Sequence, residues 1–116
     1  MSKAPHRSYL FVPGNRPERF EKALASGADA VILDLEDAVP PDLKVEARQT
    51  VAAWLGARLP TAAPVLVRIN AVDTPWFADD VAMCRQPGIE AIVVAKAERL
   101  SDLAQRARPV RALRRW

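Results

Sequence analysis

Three acids, Asp34, Glu36 and Asp37, stand within four positions directly after the apolar run Ala30-Val31-Ile32-Leu33. Carboxylates this close repel one another, and a cation or an arginine beside them relieves the repulsion. The spacing fits two readings equally: a site that handles a cation, or a salt-bridged and capped turn. Arg68 follows Val65-Leu66-Val67, so its backbone is rigidly held. A guanidinium in such a place can grip a carboxylate through two parallel hydrogen bonds. It can equally partner the acids after the second run. The two roles are compatible, because an acid can aim the arginine that holds a substrate. Arg16, Arg19 and Lys22 cluster at the start of a helical stretch. A helix N-terminus with cations nearby favours an anion such as phosphate, although a solvated helix face explains the cluster as well. No Gly-x-Gly-x-x-Gly or Walker A loop occurs, so nucleotide binding through those loops is unsupported. His6 is the sole histidine and reads as solvent-exposed. Cys84 reads as a small buried residue and not as a nucleophile.

The elements that must position these residues alternate along the chain. Tyr9-Leu10-Phe11-Val12, Ala30 to Leu33, Val65-Leu66-Val67 and Ala91-Ile92-Val93-Val94 are short apolar runs that read as strands. The second is apolar without alternation, as a strand buried on both faces should be. Between them, Arg16 to Ala25 reads as a helix, with Pro17 in its first turn and Gly27 past its end. Asp42 is expected to cap the next helix. On that helix Ala47, Val51, Trp54 and Leu55 share one face. Asp79 to Arg85 reads as a short helix or turn. Trp76 lies in the loop before it and is placed to cover the rim. Ser101 is expected to cap a last helix, which Pro109 interrupts. The order β-α-β-α-β-α-β-α implies a parallel sheet with right-handed crossovers. Each strand runs into polar residues: Pro13-Gly14-Asn15, then the three acids, then Arg68 and Asn70, then Lys96. In parallel α/β folds these ends share one face, where ligands bind.

With 116 residues, 50% hydrophobic and 27% charged, the composition suits one soluble domain and argues against disorder. No apolar stretch approaches the roughly 18 residues of a membrane span, and the N-terminus carries no signal-peptide pattern. One cysteine excludes an internal disulfide and a cysteine-cluster metal site, which points to the cytoplasm. The formal charge is +3, but six arginines and one aspartate lie between Arg99 and Trp116. That end holds the whole positive excess. A short Arg-rich end without a reading motif does not make a nucleic-acid binder.

Four segments together resemble the citrate lyase beta-subunit family of the HpcH/HpaI aldolase superfamily. They are Arg7-Ser8-Tyr9-Leu10-Phe11-Val12-Pro13-Gly14-Asn15-Arg16, the stretch Ala28 to Val39 with Asp34-Leu35-Glu36-Asp37, Val67-Arg68-Ile69-Asn70, and Val94-Ala95-Lys96-Ala97-Glu98. Lys44 and Ala47-Arg48 match the helix after the second strand. The resemblance runs from about Arg7 to Glu98, and residues 1–98 read as the N-terminal half of a TIM-barrel lyase domain. The Arg-rich tail 99–116 lies outside it. The implied fold is α/β, of the (β/α)8 TIM-barrel family, with about the first four βα units, a half barrel. A full barrel takes roughly 250 residues. The implied reaction is cleavage of a 3-hydroxy acyl thioester of citryl-CoA, malyl-CoA or citramalyl-CoA type to an acetyl thioester and a 2-keto acid, with Mg²⁺ as cofactor. The substrate is carried on CoA or on an acyl-carrier protein. On this chain the resemblance makes Arg68 the carboxylate grip and catalytic residue, and Phe11 a lining residue. It places Arg16, Arg19 and Lys22 near the CoA phosphates, with Glu18 where relatives can carry Lys. Asp34, Glu36 and Asp37 would order the metal's waters and support Arg68. The family's direct metal ligands, a Glu and an Asp on later strands, have no counterpart in these 116 residues. Half a barrel leaves two sheet edges unpaired. It is therefore expected to be inactive alone, and to form a homo-oligomer or join a complementing C-terminal half. Two other readings stay open: a non-catalytic, oligomerising fragment, and a CoA- or anion-binding α/β module.

Overall fold

A computed structural model describes residues 8–57 and 64–95, together with the backbone of Val110–Arg114. The four apolar runs form β1 (Tyr9–Pro13), β2 (Ala30–Asp34), β3 (Val65–Ile69) and β4 (Ala91–Ala95). Each is a residue or two longer than its apolar run, and this brings Asp34 and Arg68 inside their strands. The helices are α1 (Phe20–Leu24), α2 (Lys44–Ala57) and α3 (Phe77–Met83).

Strands β1 to β4 pair in parallel and in sequence order. A doubly wound sheet reverses its strand order part-way, with helices on both faces. Here the order never reverses, so successive right-handed crossovers place every helix on one face, as in a barrel wall. The core lies between that face and the helices. Val12, Val31, Leu33, Val65, Val67, Ile69 and Ile92 of the sheet pack there against Phe20, Ala47, Val51 and Leu55. Alternate residues of β3 divide accordingly: Val65, Val67 and Ile69 are buried, while Leu66 and Arg68 are half-buried on the opposite face.

Three expectations change. The first helix is a 3-10 turn, Pro17–Arg19, followed by one short turn of α-helix. Pro17 starts the segment as expected, and Gly27 leaves it at φ 92°. Asp42 does not cap α2. It lies exposed inside a second 3-10 turn, Pro41–Leu43, whose bends follow from two consecutive prolines. Finally, a strand β5 (Val110–Arg114) lies antiparallel to β4 and pairs along its whole length, Ala95 to Val110 and Ala91 to Arg114. It covers one of the two edges expected to stand open. An antiparallel strand can join a parallel sheet at its edge without a helical crossover, so βα periodicity does not announce it. The outer edge of β1 has no partner strand among the described residues. The expected cap Ser101, with Lys96, His6 and the tail side chains, lies outside them.

Gly14 shows how tightly the rim is built. Its N–H donates to the Asp34 carbonyl at 2.7 Å. A Cβ there would stand 2.8 Å from Leu35 Cδ2 and 3.0 Å from the Asp34 carbonyl oxygen. The second neighbour is backbone and cannot turn aside. Gly14→Ala is therefore expected to cost about 1–3 kcal/mol, read as a fall in the denaturation midpoint at unchanged m-value.

Candidate functional site

Asp34 and Arg68 stand opposite each other in the register of β2 and β3. Paired residues of parallel strands point to the same face, so the two side chains meet although 34 residues separate them. Arg68 Nε donates to Asp34 Oδ1 at 2.9 Å, and Nη2 donates to Oδ2 at 2.7 Å. The Asp34 carboxylate, 1% exposed, also accepts the Glu36 N–H at 2.9 Å and the Ala38 N–H at 3.0 Å. Four donors surround it, two on each oxygen. That satisfies a buried carboxylate and leaves it little capacity to ligate a metal. These bonds hold Arg68 in its charged form, above the already high arginine value. Among the described residues no hydrogen bond engages Nη1, so the outer edge of the fork is available for a second carboxylate. Phe11, 44% exposed, lies under the guanidinium, whose carbon is 4.7 Å from the ring centre. Its flat face and the fork together make a shallow cationic seat above β1 and β3.

The three acids thus divide. Asp34 is sealed, Glu36 is half-buried with Oε1 3.7 Å from Arg68 Nε, and Asp37 is exposed. Burial raises the Glu36 carboxyl above its ordinary 4.5, with Arg68 opposing and Asp34 adding to the rise. The folded protein then holds this proton more tightly than the unfolded chain does. Stability contributed by the protonated form at low pH is lost as pH rises through the folded value. Glu36→Gln removes that loss. Its melting temperature should match the parent's near pH 4.5 and exceed it increasingly toward neutrality; a pH-independent difference would contradict this.

Two buried charges escaped the sequence reading. Asp80, 1% exposed on α3, accepts Arg48 Nε at 3.0 Å on Oδ1. On Oδ2 it accepts Asn70 N at 3.1 Å and Asn70 Nδ2 at 2.7 Å. This ties the end of β3 to α2 and α3. Lys44, 7% exposed, donates to the carbonyls of Leu35 at 3.0 Å and Glu36 at 2.6 Å. The Trp76 ring lies 5.3 Å from its nitrogen. Burial lowers the Lys44 pKa, with Glu36 and Asp34 opposing. Lys44 and Arg48, one turn apart on the helix that follows the acids, carried a signal only in the family-like motif there, and Asp80 carried none. Trp76, from the loop before α3, is half-buried. Cys84 is fully buried, and desolvation pushes its thiol up to about 12, which suits a packing role.

Arg16, Arg19 and Lys22 are exposed on the connection after β1. Arg16 pairs with Glu18 at 3.6 Å. The five-residue α1 is too short to contribute a strong terminal dipole. Among the described residues no group of three or more His, Cys, Asp or Glu side chains is placed to hold a metal ion. Asp34, already accepting four hydrogen bonds, has little capacity left to ligate Mg²⁺ directly. No helix among them is long and apolar enough to cross a membrane.

The geometry has counterparts among known proteins. The family model for HpcH/HpaI aldolase/citrate lyase matches residues 7–114. The chain belongs to this family. This family member is 40% identical over 102 residues to an L-malyl-CoA/beta-methylmalyl-CoA lyase of Cereibacter sphaeroides, covering 85% of this chain and 32% of the relative. It is 37% identical over 112 residues to a (3S)-malyl-CoA thioesterase of the same species, covering 97% of this chain and 39% of the relative. It therefore spans about a third of the length of the curated relatives it matches. Among solved structures, it resembles the citrate lyase beta subunit of M. tuberculosis complexed with oxaloacetate and magnesium, with a TM-score of 0.64 and 36% identity, over 87% of this chain and 43% of that one. A CitE structure from Mycobacterium tuberculosis with magnesium, acetoacetate and coenzyme A gives a TM-score of 0.64 at 37% identity, over 87% of this chain and 36% of that one. The family is thus one of lyases with magnesium-bound structural neighbours. The sequential parallel sheet is the N-terminal part of that fold.

Proposed function

We propose that this chain carries the carboxylate-gripping part of a carbon–carbon lyase that cleaves a 3-hydroxy acyl-CoA thioester. The observation that carries the reading is the Arg68 fork, clamped on one edge by Asp34 and with Nη1 in no hydrogen bond among the described residues. In the cleavage, the substrate hydroxyl loses its proton and the adjacent carbon–carbon bond breaks. The electron pair passes to the thioester fragment as an enolate, which takes up a proton to become the acetyl thioester. The hydroxyl carbon becomes the carbonyl of a 2-keto acid. Arg68 binds the carboxylate beside that carbon through Nη1 and Nη2, and so fixes the breaking bond's orientation. Phe11 presents an apolar floor. Arg16, Arg19 and Lys22 attract the CoA phosphates from the rim of the first strand. Magnesium supplies Lewis acidity when bound. Supporting the thioester substrate are the malyl-CoA lyase relative and the coenzyme A held by the CitE neighbour. The protein acts in the cytoplasm, as a homo-oligomer or with a complementing half.

The test is to supply malyl-CoA, citryl-CoA and citramalyl-CoA with Mg²⁺ to protein purified from its source, and to separate the products. A 2-keto acid with acetyl-CoA, lost in Arg68→Ala, supports the reading. Free CoA with an intact hydroxy acid would indicate thioester hydrolysis, as the name of the thioesterase relative describes, and would overturn it.

A further inference from the structure

A buried ammonium is expensive, and an apolar side chain of similar length would fill its space without that cost. Lys44 must therefore do something a methionine cannot. Its nitrogen donates to the carbonyls of Leu35 and Glu36. The Leu35 carbonyl and the Glu36 N–H are the two ends of one peptide plane, which moves as a rigid unit. That same Glu36 N–H donates to Asp34 Oδ1. A continuous line runs from the ammonium through the peptide plane to the carboxylate, and from the carboxylate through two bonds to Arg68. Bonds in such a line polarise one another.

Trp76, from the connection between β3 and α3, lies over the ammonium and ties that loop to the same point. One turn further along α2, Arg48 holds Asp80, which holds the Asn70 N–H at the end of β3. Helix α2 thereby grips both strand ends, that of β2 through Lys44 and that of β3 through Arg48. We infer that Lys44 is a positioning residue for the carboxylate grip: it sets the Leu35–Glu36 peptide, hence the Asp34 carboxylate, hence the aim of the Arg68 fork. The inference rests on the reading of Arg68 as the substrate's carboxylate partner.

The test compares the parent chain with Lys44→Met and with Val51→Ala, a core truncation on the same helix. Two readouts are taken at matched distance from each melting temperature: the Arg68 Nε–H signal in nitrogen-15 spectra, and the affinity for pyruvate as probe. In Lys44→Met the Arg68 signal should shift, its hydrogen exchange should quicken, and pyruvate binding should weaken by roughly tenfold, the effect of losing one charge-assisted hydrogen bond. Val51→Ala should lower the melting temperature and leave both readouts in place. Equal Arg68 signals and affinities in the two variants would overturn the inference. If Lys44→Met does not fold, Lys44→Gln, which keeps a neutral donor, is read in its place: a smaller displacement in the same direction supports the inference, and none overturns it. If the parent binds no pyruvate while the Arg68 signal still moves in Lys44→Met, the positioning role stands and the carboxylate reading of the site fails.

Discussion

Arg68→Ala is expected to lose 2-keto-acid binding and lyase turnover by at least about a hundredfold, because charge-assisted hydrogen bonds contribute roughly 1.5–3 kcal/mol each and a bidentate grip loses two. It should also destabilise the fold. Asp34 would keep its burial and its two amide partners but lose the only countercharge bonded to it among the described residues. Removing one member of a buried pair typically costs about 3–5 kcal/mol. The two effects separate experimentally: turnover is scored per folded molecule, and unfolding is followed by denaturant titration. Arg68→Lys sharpens the point. It restores a charge near Asp34 but not the planar fork, so stability should recover further than binding does. Substantial turnover in Arg68→Ala would exclude the assigned role.

Asp34→Asn is the second large effect. The side chains are nearly isosteric, so no cavity complicates the result. Both Asp34 oxygens accept two bonds, and the amide must replace one oxygen by a donor. In one orientation the new NH2 faces Arg68 Nε–H and the Glu36 N–H. In the other it faces Arg68 Nη2–H and the Ala38 N–H. Either way donor meets donor, and the Arg68 charge loses the carboxylate bonded to it, keeping only Glu36 at 3.7 Å among the described residues. A loss of about 3–5 kcal/mol is expected, with weakened pyruvate binding because the fork is no longer aimed. A double-mutant cycle with Arg68→Ala should show that the two losses do not add. Additive losses would mean that the pair is not a unit.

Much of this was legible in the residues. Strand positions followed from short Val-, Ile- and Leu-rich runs, and α2 from the spacing of Ala47, Val51 and Leu55, which the core indeed buries. The suggestion that an acid aims Arg68 came from residue types and strand ends alone. Three things were not legible. Which acid does the aiming depends on register: Asp34 is Arg68's partner because β2 and β3 align them in one row, and a slip by one residue would send either side chain to the other face. The roles of Lys44 and Asp80 depend on burial, and a Lys or Asp on a helix is normally a solvated residue. Strand β5 pairs without a βα unit, so its sequence carried no signal of the expected kind.

By itself the sequence determined the four parallel strands, helix α2 and the gathering of polar residues at the strand ends, because propensity and periodicity are local properties; the family followed from the resemblance of four motifs. Tertiary structure alone decided the partners. It sealed Asp34 with four donors, left Glu36 half-buried and Asp37 in water, and turned two helical cations inward to hold the rim. Those outcomes depend on strand register and on water exclusion, which arise only when distant segments pack against one another.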